Sequence, residues 1–136
     1  MLQHQSILLV EDDKDDQDFF LEALAKVLGE PLLCDVVNNG KEALRSIKQS
    51  LELPSLIFMD VNMPMMGGIE CLAELKNNTR TKGIPVVMLT TSGFHNEKAL
   101  QLGAKAFIVK PDNPKALRLK LEEILNGATR ISEISC

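Results

Sequence analysis

A chain of 136 residues with 45% hydrophobic and 25% charged residues suits one soluble globular domain with a core of its own. The net charge of −4 and the lack of a basic stripe argue against nucleic-acid binding through phosphate contacts, and no apolar run approaches the roughly 20 residues that span a bilayer. The N-terminus, MLQHQSILLV, has neither a basic leader nor a cleavage site, and Cys34, Cys71 and Cys136 follow no metal-ligand spacing. These features predict a cytoplasmic protein in which two cysteines are small apolar fillers and one is a terminal thiol.

Ser6 to Val10, SILLV, is a continuous apolar run that stops on Glu11, Asp12 and Asp13, as a buried strand of a parallel sheet would. From Asp15 onward, Phe19, Phe20, Ala23, Leu24, Val27 and Leu28 fall at helical spacing. Asp13, Asp15 and Asp16 sit around the start of this helix, where negative charge suits the dipole, and the charge-rich segment reads as a solvated helix start. Gly29 and Pro31 end it. Leu32 to Val37 is a second strand in chain order, with polar Asp35 placing it at a sheet edge, and Asn38-Asn39-Gly40 is a turn. Ala43, Leu44, Ile47 and Leu51 predict a short amphipathic helix that stops before Pro54.

Leu56 to Met59 is a third apolar run, and it stops on Asp60. A loop punctuated by Pro64, Gly67 and Gly68 turns the chain into a helix over about Gly68 to Asn77, with Ile69, Leu72, Ala73 and Leu75 or the stem of Lys76 as its buried stripe. After the polar segment NNTRTKG, Ile84 to Thr90 is a fourth strand with Pro85 near its start. Thr90, Thr91, Ser92 and Gly93 form a hydroxyl-rich turn, Asn96 to Leu102 a weak helix, and Ala106 to Val109 a fifth strand ending at Lys110-Pro111. Asn113 to Leu125 reads as a last helix with Leu117, Leu121, Ile124 and Leu125 on one face, and a loose tail follows. His4 and His95 read as solvent-facing.

Strands alternating with helices predict an α/β fold: a doubly wound, five-stranded parallel sheet with helices on both faces. A polar edge strand fits the flavodoxin-like order 2-1-3-4-5, in which strands 1 and 3 adjoin at the switch point. Glu11, Asp12, Asp60, Thr90 and Lys110 would then converge at the carboxyl edge of the sheet. Clustered carboxylates need a counter-charge, and Mg²⁺ supplies one with carboxylate, water and phosphate ligands. A lysine, a hydroxyl and a metal around one carboxylate make a clamp for a phosphoryl group, with Asp60 as the nucleophile that becomes an acyl phosphate. No GxxxxGK[ST] and no GxGxxG after a strand supports nucleotide binding.

ILLVEDD, MDVNMPMMGG, VVMLTTS and FIVKP, in this order, resemble the response-regulator receiver domains of two-component signalling. The resemblance runs from about Ser6 to Leu125, and EDDKDDQDFF and LTTS look most like the stand-alone receivers beside bacterial phytochrome-type kinases. It implies a receiver domain over residues 1–127 with a tail over 128–136. Asp60 would be the phosphoacceptor, Asp12 a direct Mg²⁺ ligand and Glu11 a ligand through water, with Asn62 offering its backbone carbonyl. Lys110 would pair with the phosphoryl group, Thr90 would hydrogen-bond to it, and Phe107 falls at the aromatic switch position. The implied donor is a sensor histidine kinase or a histidine phosphotransfer protein, and no output domain follows Leu125. Readout would therefore be binding to a downstream protein through the face of helix 4, strand 5 and helix 5. The sequence is compatible with a homodimer.

Two residues depart from the family pattern: Thr91 stands where many receivers have alanine or glycine, and Asp112 replaces an aromatic after Lys-Pro, which puts another acid near Lys110. Two rival readings remain. An aspartyl-phosphate phosphatase of similar design would need an Asp two residues after the nucleophile, where this chain has Asn62. A phosphorylation-independent adaptor would have no need for Glu11, Asp12, Asp60, Thr90 and Lys110 together.

Overall fold

The computed structural model describes residues 6–29, 32–91 and 96–126. Expectations for His4, Pro31, Ser92, Gly93, His95 and the tail from residue 127 lie outside the described residues. In chain order the elements are β1 (Ile7–Val10), α1 (Lys14–Leu28), β2 (Cys34–Val37), α2 (Gly40–Gln49), β3 (Leu56–Asp60), α3 (Gly68–Lys76), β4 (Val86–Thr90), α4 (Asn96–Gln101), β5 (Ala106–Val109) and α5 (Pro114–Asn126). The strands form one parallel sheet in the order β2-β1-β3-β4-β5, as the alternation predicts.

The continuous apolar runs follow from burial on both faces. Successive side chains of a strand point to opposite faces, so Ile7, Leu9, Phe58, Leu89 and Ile108 join α1 and α5 on one side. Leu8, Val10, Met59, Met88 and Phe107 join α2, α3 and α4 on the other. Phe20 of α1 meets Phe58 edge-on, with ring centroids 4.8 Å apart, a geometry that contributes about 1 kcal/mol beyond burial. β2 is the edge strand, and Asp35 is its exposed residue. Among the described residues no helix is long and apolar enough to cross a membrane.

Several boundaries differ from the sequence reading, each for a local reason. β2 starts at Cys34, and Leu33 is left exposed. β4 starts at Val86, because Pro85 has no N–H for the ladder and contributes only its carbonyl, to the amide of Ile57. Leu51 is not on the apolar face of α2: the helix ends at Gln49, the Arg80 guanidinium donates to the carbonyls of Ile47 and Ser50, and the Leu51 side chain is 99% exposed. The buried stripe of α3 is Gly68, Cys71, Leu72 and Leu75, with Ile69 and Ala73 only half-buried. Gly68 abuts the carbonyl of Asp60, which fixes the rotation of the helix about its axis. Cys34 and Cys71 are free, and burial pushes both thiols up to about 12, which leaves them protonated fillers.

Candidate functional site at the carboxyl edge of the sheet

Strand alternation carries beyond the last core residues and sorts the edge groups by face. Glu11 follows Ile7 and Leu9, Asp60 follows Leu56 and Phe58, and Lys110 follows Ala106 and Ile108, so all three extend the side covered by α1 and α5. Thr90 follows Val86 and Met88 and extends the side that holds Phe107. The two faces also meet through the backbone, where the amide of Lys110 donates to the carbonyl of Thr90 at 2.6 Å.

The structure brings Glu11, Asp12 and Asp60 together: one oxygen of each lies within 4.8 Å of the others. Glu11 and Asp60 are buried and Asp12 is exposed. That donor set, all carboxylate oxygen with one open side, suits a hard divalent cation. Glu11 Oε2 accepts from the amide of Asp13 at 3.2 Å, while Gln17 Nε2 donates to the carbonyl of Glu11 at 2.6 Å and to Asn38 Oδ1 at 3.1 Å. Gln17 thus ties α1 to the end of β1 and to the turn before α2. The loop after Asp60 is closed by the amide of Gly68 on the carbonyl of Val61 at 2.8 Å and by the amide of Gly40 on the carbonyl of Met66 at 3.2 Å. Its Met65 takes φ 68 with an exposed side chain, a conformation that costs about 1 kcal/mol for a residue with a Cβ.

Lys110 Nζ makes three ion pairs, at 2.7 Å to Glu11 Oε1, 3.1 Å to Asp16 Oδ2 and 3.3 Å to Asp60 Oδ1. Burial raises the Glu11 and Asp60 carboxyls above the usual range; Lys110 works against this in both, the Asp60 charge adds to the rise at Glu11, and Asp12 adds to it at Asp60. The backbone N–H of Asn62 also steadies the Asp60 carboxylate, while the Asn62 side chain faces solvent. Burial disfavours the charge on Lys110, but the bond to Glu11, the charges of Asp60 and Glu11 and the bond to Asp16 outweigh it and hold the ammonium well above its ordinary value.

A carboxyl raised in the folded state binds more protons folded than unfolded, so its contribution to stability falls as pH rises from the ordinary carboxylate value through the raised one. At neutral pH the buried Asp60 anion therefore costs stability. In EDTA at pH 7, Asp60→Asn is expected to melt a few degrees above wild type. The gap should close below about pH 4, where unfolded Asp is protonated as well. Differential scanning calorimetry across this range checks it, and a variant that melts lower at pH 7 would reverse the sign.

Two edge residues differ from expectation. The extra acid beside Lys110 is Asp16 of α1 and not Asp112, which is exposed and is not among the ion pairs of Lys110 in the described residues. Sequence reading gave Asp16 only a helix-dipole role. The available signal was its spacing, three and four residues before Phe19 and Phe20, which puts it on the inward side of α1. Thr91 is exposed.

The family model of the response regulator receiver domain matches residues 7–122. Histidine kinase P4 of Formosa agariphila is 38% identical over 128 residues, which cover 93% of this chain and 9% of that kinase. Two probable transcriptional regulators that the chain also matches are covered over 51% of their length. Among solved structures, the phosphorylated cyanobacterial phytochrome response regulator RcpA superposes with TM-score 0.77 at 31% identity, covering 94% of this chain and 98% of that one. The Mn²⁺-bound form of response regulator Rcp1 does so with TM-score 0.70 at 34% identity, covering 88% and 91%. The sheet order, the acids gathered at its carboxyl edge and the match over most of the sequence agree, and the chain belongs to the response regulator receiver domain family.

Proposed function

We propose that Asp60 accepts a phosphoryl group from a phosphohistidine of a sensor kinase or histidine phosphotransfer protein, and that a partner protein reads the modified surface. The observation that carries this reading is the ammonium of Lys110 held 3.3 Å from a buried Asp60 carboxylate at the edge of a receiver sheet. Receiver domains as a family take phosphoryl groups from histidine kinases and signal to downstream targets. The similarity to one regulator in phosphorylated form and to another with Mn²⁺ bound supports the same chemistry here.

In the transfer, an Asp60 carboxylate oxygen bonds to phosphorus as the donor's P–N bond breaks, and the electron pair of that bond leaves with the imidazole. Lys110 stays protonated throughout and offers its N–H groups to the equatorial oxygens of the moving phosphoryl, where negative charge is spread in the transition state. Thr90 receives one of those oxygens in the product. Asp12 and Asp60 directly, Glu11 through water and the backbone carbonyl of Asn62 would hold Mg²⁺, which supplies the positive charge that lets a phosphoryl approach so many carboxylates. The protein provides position and charge, and the donor provides the reactive bond, so the role is that of a signalling protein rather than of an enzyme with turnover.

Acetyl phosphate with Mg²⁺ is expected to add one phosphoryl group to wild type and none to Asp60→Asn, as read by intact-mass spectrometry. Equal labelling of the two proteins would move the acceptor elsewhere.

A further inference from the structure

Among the described residues the Lys110 ammonium hydrogen-bonds to Glu11 and Asp16 and lies 3.3 Å from Asp60, so its three N–H groups are already engaged when a phosphoryl oxygen arrives. One partner must give way. Glu11 holds the shortest contact, 2.7 Å, and its side chain is only 2% exposed, so releasing it would strand a buried anion. Asp60 is the group being modified. Asp16 is left: its side chain is 47% exposed at 3.1 Å, and water can take over its oxygen at little cost.

The bland role for Asp16 is a helix cap. It is the third residue of α1 after the N-cap Asp13, where an acid commonly reaches back to the N-cap amide. Here that amide is already bonded to Glu11 Oε2, and Asp16 turns its carboxylate to Lys110 instead. The helix start is served separately by Asp13 Oδ1, which accepts from the amide of Asp16 at 3.1 Å.

We propose that Asp16 is a positioning residue for phosphoryl acceptance: it occupies the third donor of Lys110 in the unmodified protein and yields it to the phosphoryl oxygen, so its carboxylate slows modification of Asp60. This rests on the acceptor reading above. Asp16 and Lys110 exchange no proton; with acetyl phosphate the new P–O bond forms at Asp60 while acetate departs with the electron pair of the broken one. Removing the Asp16 charge leaves the lysine shared between two carboxylates and lowers the repulsion met by an anionic donor.

The test is the initial rate of acetyl phosphate labelling with Mg²⁺, a small donor that keeps protein docking out of the measurement. Asp16→Asn is expected to label roughly two- to fivefold faster than wild type at low salt, the scale of one half-exposed ion pair. The gain should fade at about 1 M salt, where charges are screened beyond roughly 3 Å. Asp16→Glu should return the rate toward wild type. Asp15→Asn, which removes the same charge from the same exposed turn of α1, should label as wild type does. An Asp16→Asn rate equal to that of Asp15→Asn, slower than wild type or insensitive to salt would overturn the assignment while leaving Asp60 as acceptor. No labelling of wild type would overturn the acceptor reading and this one with it.

Discussion

Gly68→Ala is expected to cost the fold about 3 kcal/mol or more, at the upper end of what overpacking does. A Cβ on Gly68 would lie 2.2 Å from the carbonyl oxygen of Asp60, 2.9 Å from Cα of Val61 and 3.0 Å from the carbonyl carbon of Asp60. All three are backbone atoms of the end of β3 and its loop, so no side chain can rotate away. Either α3 lifts off the sheet, which opens the packing of Cys71, Leu72 and Leu75, or the end of β3 shifts and carries Asp60 out of reach of Lys110. Gly67 offers the internal comparison: its added Cβ would meet only the Val61 carbonyl, at 3.3 Å, and Gly67→Ala should cost far less. Urea denaturation of both variants checks the order. A Gly68→Ala protein as stable as Gly67→Ala would show that α3 slides on the sheet without penalty.

The sheet was readable in the sequence because β1, β3, β4 and β5 are covered on both faces and therefore appear as unbroken apolar runs, three of them stopping on an acid or a lysine. Glu11, Asp60 and Lys110 could be named for the same reason: each is the residue at which a run stops. Residues whose position depends on how a helix is rotated were much less legible. Asp16 lies beside Asp15 in the sequence, and its spacing to Phe19 and Phe20 points to Lys110 only once α1 is known to dock through Phe20 onto Phe58. In α3 the spacing picks out Leu72 and Leu75 correctly but takes Ile69 and Ala73 in place of Gly68 and Cys71, because the close approach of Gly68 to β3 sets the rotation and a glycine carries no hydrophobic signal. Leu51 was assigned to α2 because the partner that ends the helix, Arg80, comes from far along the chain.

A phosphoryl mimic on Asp60 is expected to be felt along the side of the sheet that holds Thr90 and Phe107, and Thr90→Ala is expected to stop it there. Thr90 is 2% exposed at the end of β4, and Phe107 pairs in register with Met88, two residues earlier on the same face. An acyl phosphate is a stronger acceptor than a neutral oxygen, so it draws the Thr90 hydroxyl toward it. Any movement of Thr90 changes the packing beside Met88 and Phe107, and beyond them lies Ala99 of α4. Phe107 is already 8% exposed in the unmodified protein and, lacking a hydroxyl, leaves no hydrogen bond unmade in that position. The response is therefore expected to be a repacking against α4 rather than a swing from solvent into the core. Leu117 of α5, on the opposite side of the sheet, should stay largely unperturbed, which narrows the readout face to α4 and β5. NMR shift mapping with beryllofluoride and Mg²⁺ measures this directly: shifts at Phe107 and Ala99 in wild type, retained binding but no shift at Ala99 in Thr90→Ala. Phe107→Ala should still be labelled on Asp60 while losing about 3 kcal/mol of stability to the cavity it leaves. Shifts that surround Asp60 and never reach Phe107 in wild type would make Phe107 a core residue alone and place the readout elsewhere on the surface.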